Sequence, residues 1–143
     1  MGISLLLLLL GCATAGKQSR LLTSRLPATI TGHFTDDYGI SYSIHEKEWI
    51  QQPNIKYHII KYDSAGQYLI AKNAATNPSE AGLYTRIDFM FFTGMGPWEW
   101  GFCLTRYNAS TQEEAIAANN ADRENPKKGC GGYPFSRMKR RQP

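Results

Sequence analysis

Apolar and polar residues alternate along much of the chain beyond residue 28, and this period of two predicts half-buried β-strands. The clearest example places Leu83, Thr85, Ile87, Phe89 and Phe91 on one face of an extended segment. Short segments of the same character, separated by turn-forming residues, lie at residues 29–34, 40–50, 55–62, 67–72, 83–92 and 98–105. Six strands joined by short connections predict an antiparallel meander or a small barrel.

A single helix is expected after the sixth strand. Ser110 and Glu113 have the spacing of a capping box, and an alanine-rich segment follows them. The predicted helix covers about residues 110–121 and must end before Pro126. Residues 133–135 predict a seventh, short strand. The expected fold is therefore mainly β, with six to seven strands and one C-terminal α-helix that covers a sheet edge or barrel end.

The N-terminus has the features of an export signal. Six leucines occupy residues 5–10, and the apolar stretch is shorter than the roughly 20 residues that a spanning helix needs. Residues 9–12 resemble a bacterial lipobox, which predicts cleavage after residue 11 and lipidation of Cys12. Residues 13–15 form an A-x-A site, which predicts cleavage before Gly16 instead. We expect export to the bacterial cell envelope with a membrane anchor at Cys12, or secretion if the second site is used.

The cysteines predict one disulfide bond. The chain has three, Cys12, Cys103 and Cys130, and either cleavage removes Cys12 from disulfide chemistry. An even pair in an oxidising compartment is expected to form a bridge, worth about 3.5 kcal/mol for a loop of about 27 residues. Two free thiols are the alternative. A metal pair is disfavoured because neither cysteine lies in a C-x-x-C motif.

Charge is distributed unevenly along the predicted segments, which are a tether at residues 12–27, a domain at 28–136 and a basic tail at 137–143. The net charge is +4, but seven basic residues lie in or before the tether and in the tail. The domain itself has 9 basic and 12 acidic residues, a balance of −3. This distribution disfavours nucleic-acid binding, which usually needs a basic folded surface. The basic ends are either solvated or close to anionic lipid headgroups.

Several segments resemble a family of small, uncharacterised bacterial secreted and lipoprotein sequences. The resemblance covers most of residues 30–136. It rests on Asp37-x-Gly39, Tyr68-x-Ile70-Ala71-x-Asn73, residues 100–109, residues 113–115 and residues 129–133. No activity and no catalytic residue can be inferred from this resemblance. The layout also resembles the calycins, the lipocalin and avidin group, whose G-x-W motif is matched by Gly32-His33-Phe34 with Phe in place of Trp. That resemblance implies a small barrel able to hold a ligand.

Aromatic residues are the best candidates for ligand contacts. Small barrels can hold one small ligand, so an aromatic-lined cavity is expected to bind a small apolar ligand or a carbohydrate. A closely packed barrel core is the alternative interpretation of the same residues. The candidate lining residues are Tyr42, Phe89, Phe91, Trp98, Trp100 and Phe102.

Candidates for catalysis are weak. No serine-hydrolase, phosphate-loop or zinc-protease motif occurs. Asp36 and Asp37 are adjacent turn formers and are not expected to face each other across a cleft. A hairpin that pairs Ile50 with Ile55 places His45 one diagonal step from His58. Two histidines are too few ligands for a metal site. We therefore predict no catalytic residue, metal or cofactor, and a non-enzymatic binding module. A structural envelope protein with a filled core is the alternative, followed by an unrecognised envelope enzyme.

Overall fold

The computed structural model describes residues 25–142, in which one antiparallel sheet closes into a barrel. The predicted signal peptide, Cys12 and most of the predicted tether lie outside the described residues. Pairing joins each strand to the next along the chain, and the eighth strand to the first. The strands are β1 (Gly32–Asp36), β2 (Ser41–Ile44), β3 (Glu48–Gln51), β4 (Ile55–Asp63), β5 (Tyr68–Asn73), β6 (Tyr84–Phe91), β7 (Trp100–Ala109) and β8 (Ser136–Arg140).

The mainly β fold is confirmed, but the expected count of six to seven strands is wrong. The segment predicted as one strand over residues 40–50 is two strands, β2 and β3, because the chain reverses at residues 45–47. The predicted basic tail contains β8, and the short strand expected at residues 133–135 starts later, at Ser136. Met138 of β8 is fully buried while Lys139 is exposed, so the alternation of this short basic segment is that of a barrel strand.

The barrel interior holds the main hydrophobic core. Each strand contributes alternate side chains to it, as the period of two requires. A 3₁₀ turn at Ala28–Ile30 precedes β1, and its Ile30, with Leu26 before it, belongs to the same core. The largest fully buried interior side chains are Trp49, Trp100, Phe34, Phe89, Ile30, Ile44, Leu69, Ile87 and Met138.

The strand connections alternate between the two ends of the barrel because all pairs are antiparallel. We call one end the closed end. It contains the 3₁₀ turn and the β2–β3, β4–β5 and β6–β7 connections. The other, the mouth end, contains the β1–β2, β3–β4 and β5–β6 connections and the start of the long β7–β8 connection.

The β7–β8 connection packs against the outer face of the barrel. Its helix, α1 (Gln112–Ala117), is shorter than the predicted 110–121, and its N-cap is Thr111, whose hydroxyl accepts from the Glu114 N–H at 3.2 Å. Ala115 of α1 is buried with Tyr68 and Ile70 of β5 in a second, smaller apolar cluster. The Cys103–Cys130 disulfide, predicted from the cysteine count, is confirmed, with a Cα–Cα distance of 5.5 Å. It fixes the second half of the connection to β7.

Within the part of the chain that the structure describes, no helix has the length and apolar character needed to cross a membrane.

Candidate functional site

A cavity of about 260 Å³ opens at the mouth end of the barrel. It lies between the start of β4, the second half of β7 and the β5–β6 connection, residues 74–83. Its walls combine apolar side chains and two tyrosine rings with polar groups at the rim. The lining residues are Ile55, Tyr57, Asn73, Asn77, Pro78, Ser79, Glu80, Leu104 and Tyr107.

Two asparagines hold the β5–β6 connection in place beside the cavity. The side chain of Asn77 accepts from the Lys56 N–H at 2.8 Å and donates to the Lys56 carbonyl at 2.9 Å. Asn73 donates to the carbonyls of Glu80 and Tyr107 at 2.8 and 3.0 Å. Both amides are thus committed to the backbone on either side of the cavity, and they give it a fixed wall.

The groups that remain for a ligand are hydroxyls, a carboxylate and aromatic faces. Burial raises the pKa of Tyr57, and no side-chain hydrogen bond accompanies that burial among residues 25–142. The hydroxyl of Ser79 and the carboxylate of Glu80 lie on the exposed connection. Tyr107 is about half exposed, at 52%. The cavity can therefore offer an aromatic face and several hydrogen-bonding groups to one small molecule.

None of the six aromatic residues predicted to line a ligand site lines this cavity. Tyr42, Phe89, Trp100 and Phe102 lie in the barrel core. Phe91 is exposed at 42% at the end of β6, and Trp98 is partly buried before β7. Ring centroids of the core aromatics are 5.0 Å apart for Trp49 and Phe102 and 5.6 Å for Tyr42 and Phe102, in edge-to-face geometry. The packed-core interpretation describes these four positions.

The cavity residues were missed because they come from segments far apart in the sequence. Tyr57 and Leu104 follow the same alternation as core residues, so nothing in their local pattern separates the two roles. The one local signal was Asn77-Pro78 in a polar connection between two strands. Connections of this kind carry ligand sites more often than strand interiors do.

The paired aspartates have structural roles. Asp36 is buried, and its carboxylate accepts from the Tyr42 hydroxyl at 2.8 Å and from the backbone N–H groups of Tyr38 and Ile40. Asp37 accepts from Arg137 across the β1–β8 junction at 3.0 Å. The two carboxylates therefore stabilise the first turn and the barrel closure, and they have separate partners.

The histidines are arranged differently from the predicted pair. The hairpin register is one residue from the expected one, since Gln51 pairs with Ile55 and Glu48 with His58. His45 instead lies near His33, with ring centroids 6.2 Å apart. In residues 25–142 no group of three or more His, Cys, Asp or Glu side chains is placed to hold a metal ion.

A buried ionic cluster lies on the outer face of the barrel, under the β7–β8 connection. Asp88 is fully buried and accepts from Arg86 at 2.9 Å, from Arg123 at 3.0 Å and from the hydroxyl of Thr105. Arg86 also donates to the Ile116 carbonyl at 2.6 Å. Because every charge has a partner, the cluster fixes the connection in position, and no group in it is left open for chemistry.

Comparison of the chain with protein-family models, with curated proteins and with solved structures finds no match.

Proposed function

We propose that this chain is a non-enzymatic binding protein of the bacterial cell envelope that holds one small ligand at the mouth end of its barrel. The observation that carries the proposal is the mouth cavity of about 260 Å³. This volume lies just below the roughly 300–1,000 Å³ of pockets for drug-sized molecules. The ligand is therefore small, on the scale of a single sugar ring or a short apolar molecule.

The wall chemistry favours a ligand with both an apolar face and hydroxyl groups. Tyr57, Leu104 and Pro78 supply apolar surface, while Ser79 and Glu80 supply a donor and an acceptor at the rim. A carbohydrate combines these two properties in one molecule, and it is the first candidate class. A small apolar ligand, which would use only the walls, is the second.

We propose in addition that the barrel is calycin-like. Eight strands in sequential order, closed by β8 against β1, support a calycin-like barrel, and Gly32-His33-Phe34, which resembles the G-x-W motif, lies at the start of β1. The likeness to small uncharacterised lipoprotein sequences supports an envelope location. The Cys103–Cys130 bridge also fits an oxidising compartment.

A structural or interaction protein with a filled core is the second candidate function. The observation that favours it is the edge-to-face packing of Trp49, Trp100 and Phe102 in the interior. In that case the mouth cavity holds only water, and the barrel acts as a rigid support.

Native mass spectrometry of the protein purified from its own host tests the binding function. We expect a bound small molecule that is lost in Ser79→Trp, which fills the cavity from its exposed rim. Ser64→Trp is the matched control, because Ser64 is also exposed but lies in the β4–β5 turn at the closed end. Titration with N-acetylglucosamine and with 1-hexanol, followed by NMR of the Leu104 methyl groups, separates the two ligand classes. Wild-type protein with no bound mass and no shift with either probe favours the filled-core function.

Fractionation of cells expressing the wild type and Cys12→Ser tests the anchor. Two acyl chains, at about 0.8 kcal/mol per buried CH₂, give stable attachment, so the wild type should sediment with membranes. The variant should be released or keep its signal peptide uncut, which its mass distinguishes. Soluble wild-type protein that begins at Gly16 would show that the A-x-A site is used and the protein is secreted.

A further inference from the structure

The features that suit a lipid surface lie together at the closed end of the barrel. The described chain enters there, since Leu26 and Ile30 close that end of the core. Arg140, at the end of β8, donates to the carbonyls of Thr31 and Ala28 at 3.1 and 3.3 Å. The entry of the chain and the basic end of β8 are therefore neighbours, and any anchor that precedes residue 25 must join the barrel at this end.

The β6–β7 connection, residues 92–99, presents apolar side chains at the same end. Met95 is 42% exposed and lies between Gly94 and Gly96, which both have positive φ, of 68° and 67°. A Cβ at either glycine would meet no atom within 4 Å, so the glycines serve the turn conformation. Phe91 at the base of the connection is exposed to the same degree, 42%. Phe91 contacts the ring of Phe89, with centroids 5.7 Å apart, but Phe91 and Met95 both leave a large part of their apolar side chains exposed at the closed end.

The connection contains one tryptophan, Trp98, and cations from β8 lie beside it. The ring of Trp98 has the guanidinium of Arg137 at 4.8 Å and the ammonium of Lys139 at 5.2 Å from its centroid. A cleft of about 450 Å³ is lined by Gly32, His33, Arg140, Arg141 and Gln142. Tryptophan is enriched where proteins meet the membrane–water interface, and lysine and arginine attract anionic headgroups there.

The acidic groups near this surface are engaged within the protein. Glu99 lies 3.6 Å from Arg140, and Glu46 accepts from the Leu26 N–H at 3.2 Å. Lys139 and Arg141 are exposed, which leaves two cations on the β8 edge of the closed end for an external anion.

We propose that the closed end is a membrane-contact surface, with Met95 and Phe91 entering the interface of an anionic leaflet while Lys139 and Arg141 bind its headgroups. In this orientation the mouth cavity opens away from the membrane. The inference rests on the proposed envelope location but does not depend on the identity of any ligand.

Quenching of tryptophan fluorescence by lipids with brominated acyl chains tests the contact. The full chain, as its expression host processes it, is mixed with vesicles or reconstituted into them. Trp49 and Trp100 are buried inside the barrel, so quenching reports on Trp98, and Trp98→Phe is the check of that assignment. We expect strong quenching in vesicles of phosphatidylcholine with phosphatidylglycerol. Absence of Trp98 quenching in these vesicles, in a chain that is bound to them, would overturn the proposal.

Charge variants test the headgroup contact. Each cation near an anionic surface is worth roughly a fivefold change in partition, so Lys139→Gln with Arg141→Gln should weaken the contact roughly 25-fold. Lys56→Gln with Lys72→Gln is the matched control, with the same charge change on the mouth half of β4 and β5. Equal quenching in the two double variants, or in phosphatidylcholine alone, would show that an anchor sets the position and would refute the headgroup contact.

Amide exchange in the same vesicles tests the orientation independently of tryptophan. We expect exchange to slow at residues 93–98 and to stay unchanged at residues 75–82 beside the mouth cavity. Protection of residues 75–82 instead would place the mouth end on the membrane and overturn the proposal. A chain that binds its ligand but shows neither protection nor quenching would refute this inference and leave the binding function standing.

Discussion

Strand β6 is buried on both of its faces, with Ile87 and Phe89 toward the barrel interior and Arg86 and Asp88 toward the β7–β8 connection. The interior face is stabilised mainly by buried apolar area, whose contribution does not depend on direction. The outer face is stabilised by hydrogen bonds, each of which needs its partner in a specific position. The interior should therefore respond to lost volume, and the outer face to a lost partner.

The largest effect is expected for Trp100→Ala in the interior. Trp100 is fully buried and contacts Phe34, Trp49 and Phe102, so the variant should lose about 3–5 kcal/mol of unfolding free energy. The indole N–H of Trp100 has no hydrogen-bond partner among the described residues. Trp100→Phe removes that unpaired donor and keeps most of the ring, so it should cost much less. Urea unfolding measures both, and equal losses would contradict a face governed by volume.

A comparable loss is expected for Asp88→Ala on the outer face, for a different reason. It leaves the buried guanidinium of Arg86 without its carboxylate, and removal of one partner of a buried pair costs about 3–5 kcal/mol. Replacement of both, Arg86→Met with Asp88→Leu, removes the buried pair. Arg123 loses its bond to Asp88 but is partly exposed and keeps its bonds to backbone carbonyls. The double variant should be more stable than Asp88→Ala in urea unfolding. If its loss equals or exceeds that of the single variant, specific pairing is not what stabilises this face.

Removal of the disulfide should destabilise the outer layer by about 3.5 kcal/mol, from the loop entropy of a 27-residue separation. The bridge constrains the β7–β8 connection, while the interior packing does not depend on it. Cys103→Ala with Cys130→Ala should therefore lower the melting temperature and raise amide exchange first in residues 112–135. Uniform loss of protection across β2 and β3 as well would show that the two faces unfold as one unit.

The smallest effect is a pH dependence centred on Tyr42. Burial, and then the hydrogen bond to Asp36, raise the pKa of Tyr42 far above its ordinary value of about 10. The folded state thus holds a proton that the unfolded state releases. The contribution of Tyr42 to stability should be constant below pH 10 and fall as the pH rises above it.

Tyr42→Phe should make that alkaline fall shallower, and it should cost about 1.5–3 kcal/mol at neutral pH from the lost bond to a carboxylate. Some slope should remain, because burial also raises the pKa of Tyr57. Tyr38→Phe is the control, since Tyr38 is 69% exposed. If the stability of the wild type and of Tyr42→Phe falls equally steeply at alkaline pH, Tyr42 is not the source of the pH dependence.

The sequence predicted the regions where one local pattern decides the structure. Residues 87–91 of β6 and 100–104 of β7 alternate as predicted, and their interior faces are those expected, with Ile87, Phe89, Trp100 and Phe102 buried and Leu104 partly buried. The disulfide was predicted from the expected export and the cysteine count. The order of sequential strands followed from short connections.

The errors fall where distant segments decide the structure. The reversal at residues 45–47 contains no Gly or Pro, so β2 and β3 appeared as one strand. β8 has only Met138 as a buried apolar residue, and its role depends on β1, about a hundred residues away. The mouth cavity likewise forms from β4, β7 and the β5–β6 connection, which become neighbours only when the sheet closes.

The pairing of β8 with β1 also sets the order of events during synthesis. The barrel lacks its last strand until residue 140 has been made, so β1 and β7 both keep open edges, which are sites for pairing with other chains. The β1–β8 contacts span about a hundred residues, as in the Asp37–Arg137 pair, and contacts of such long range form slowly. A nascent chain of this protein therefore stays open until its last strand is complete, and the barrel closes only after residue 140 has been made.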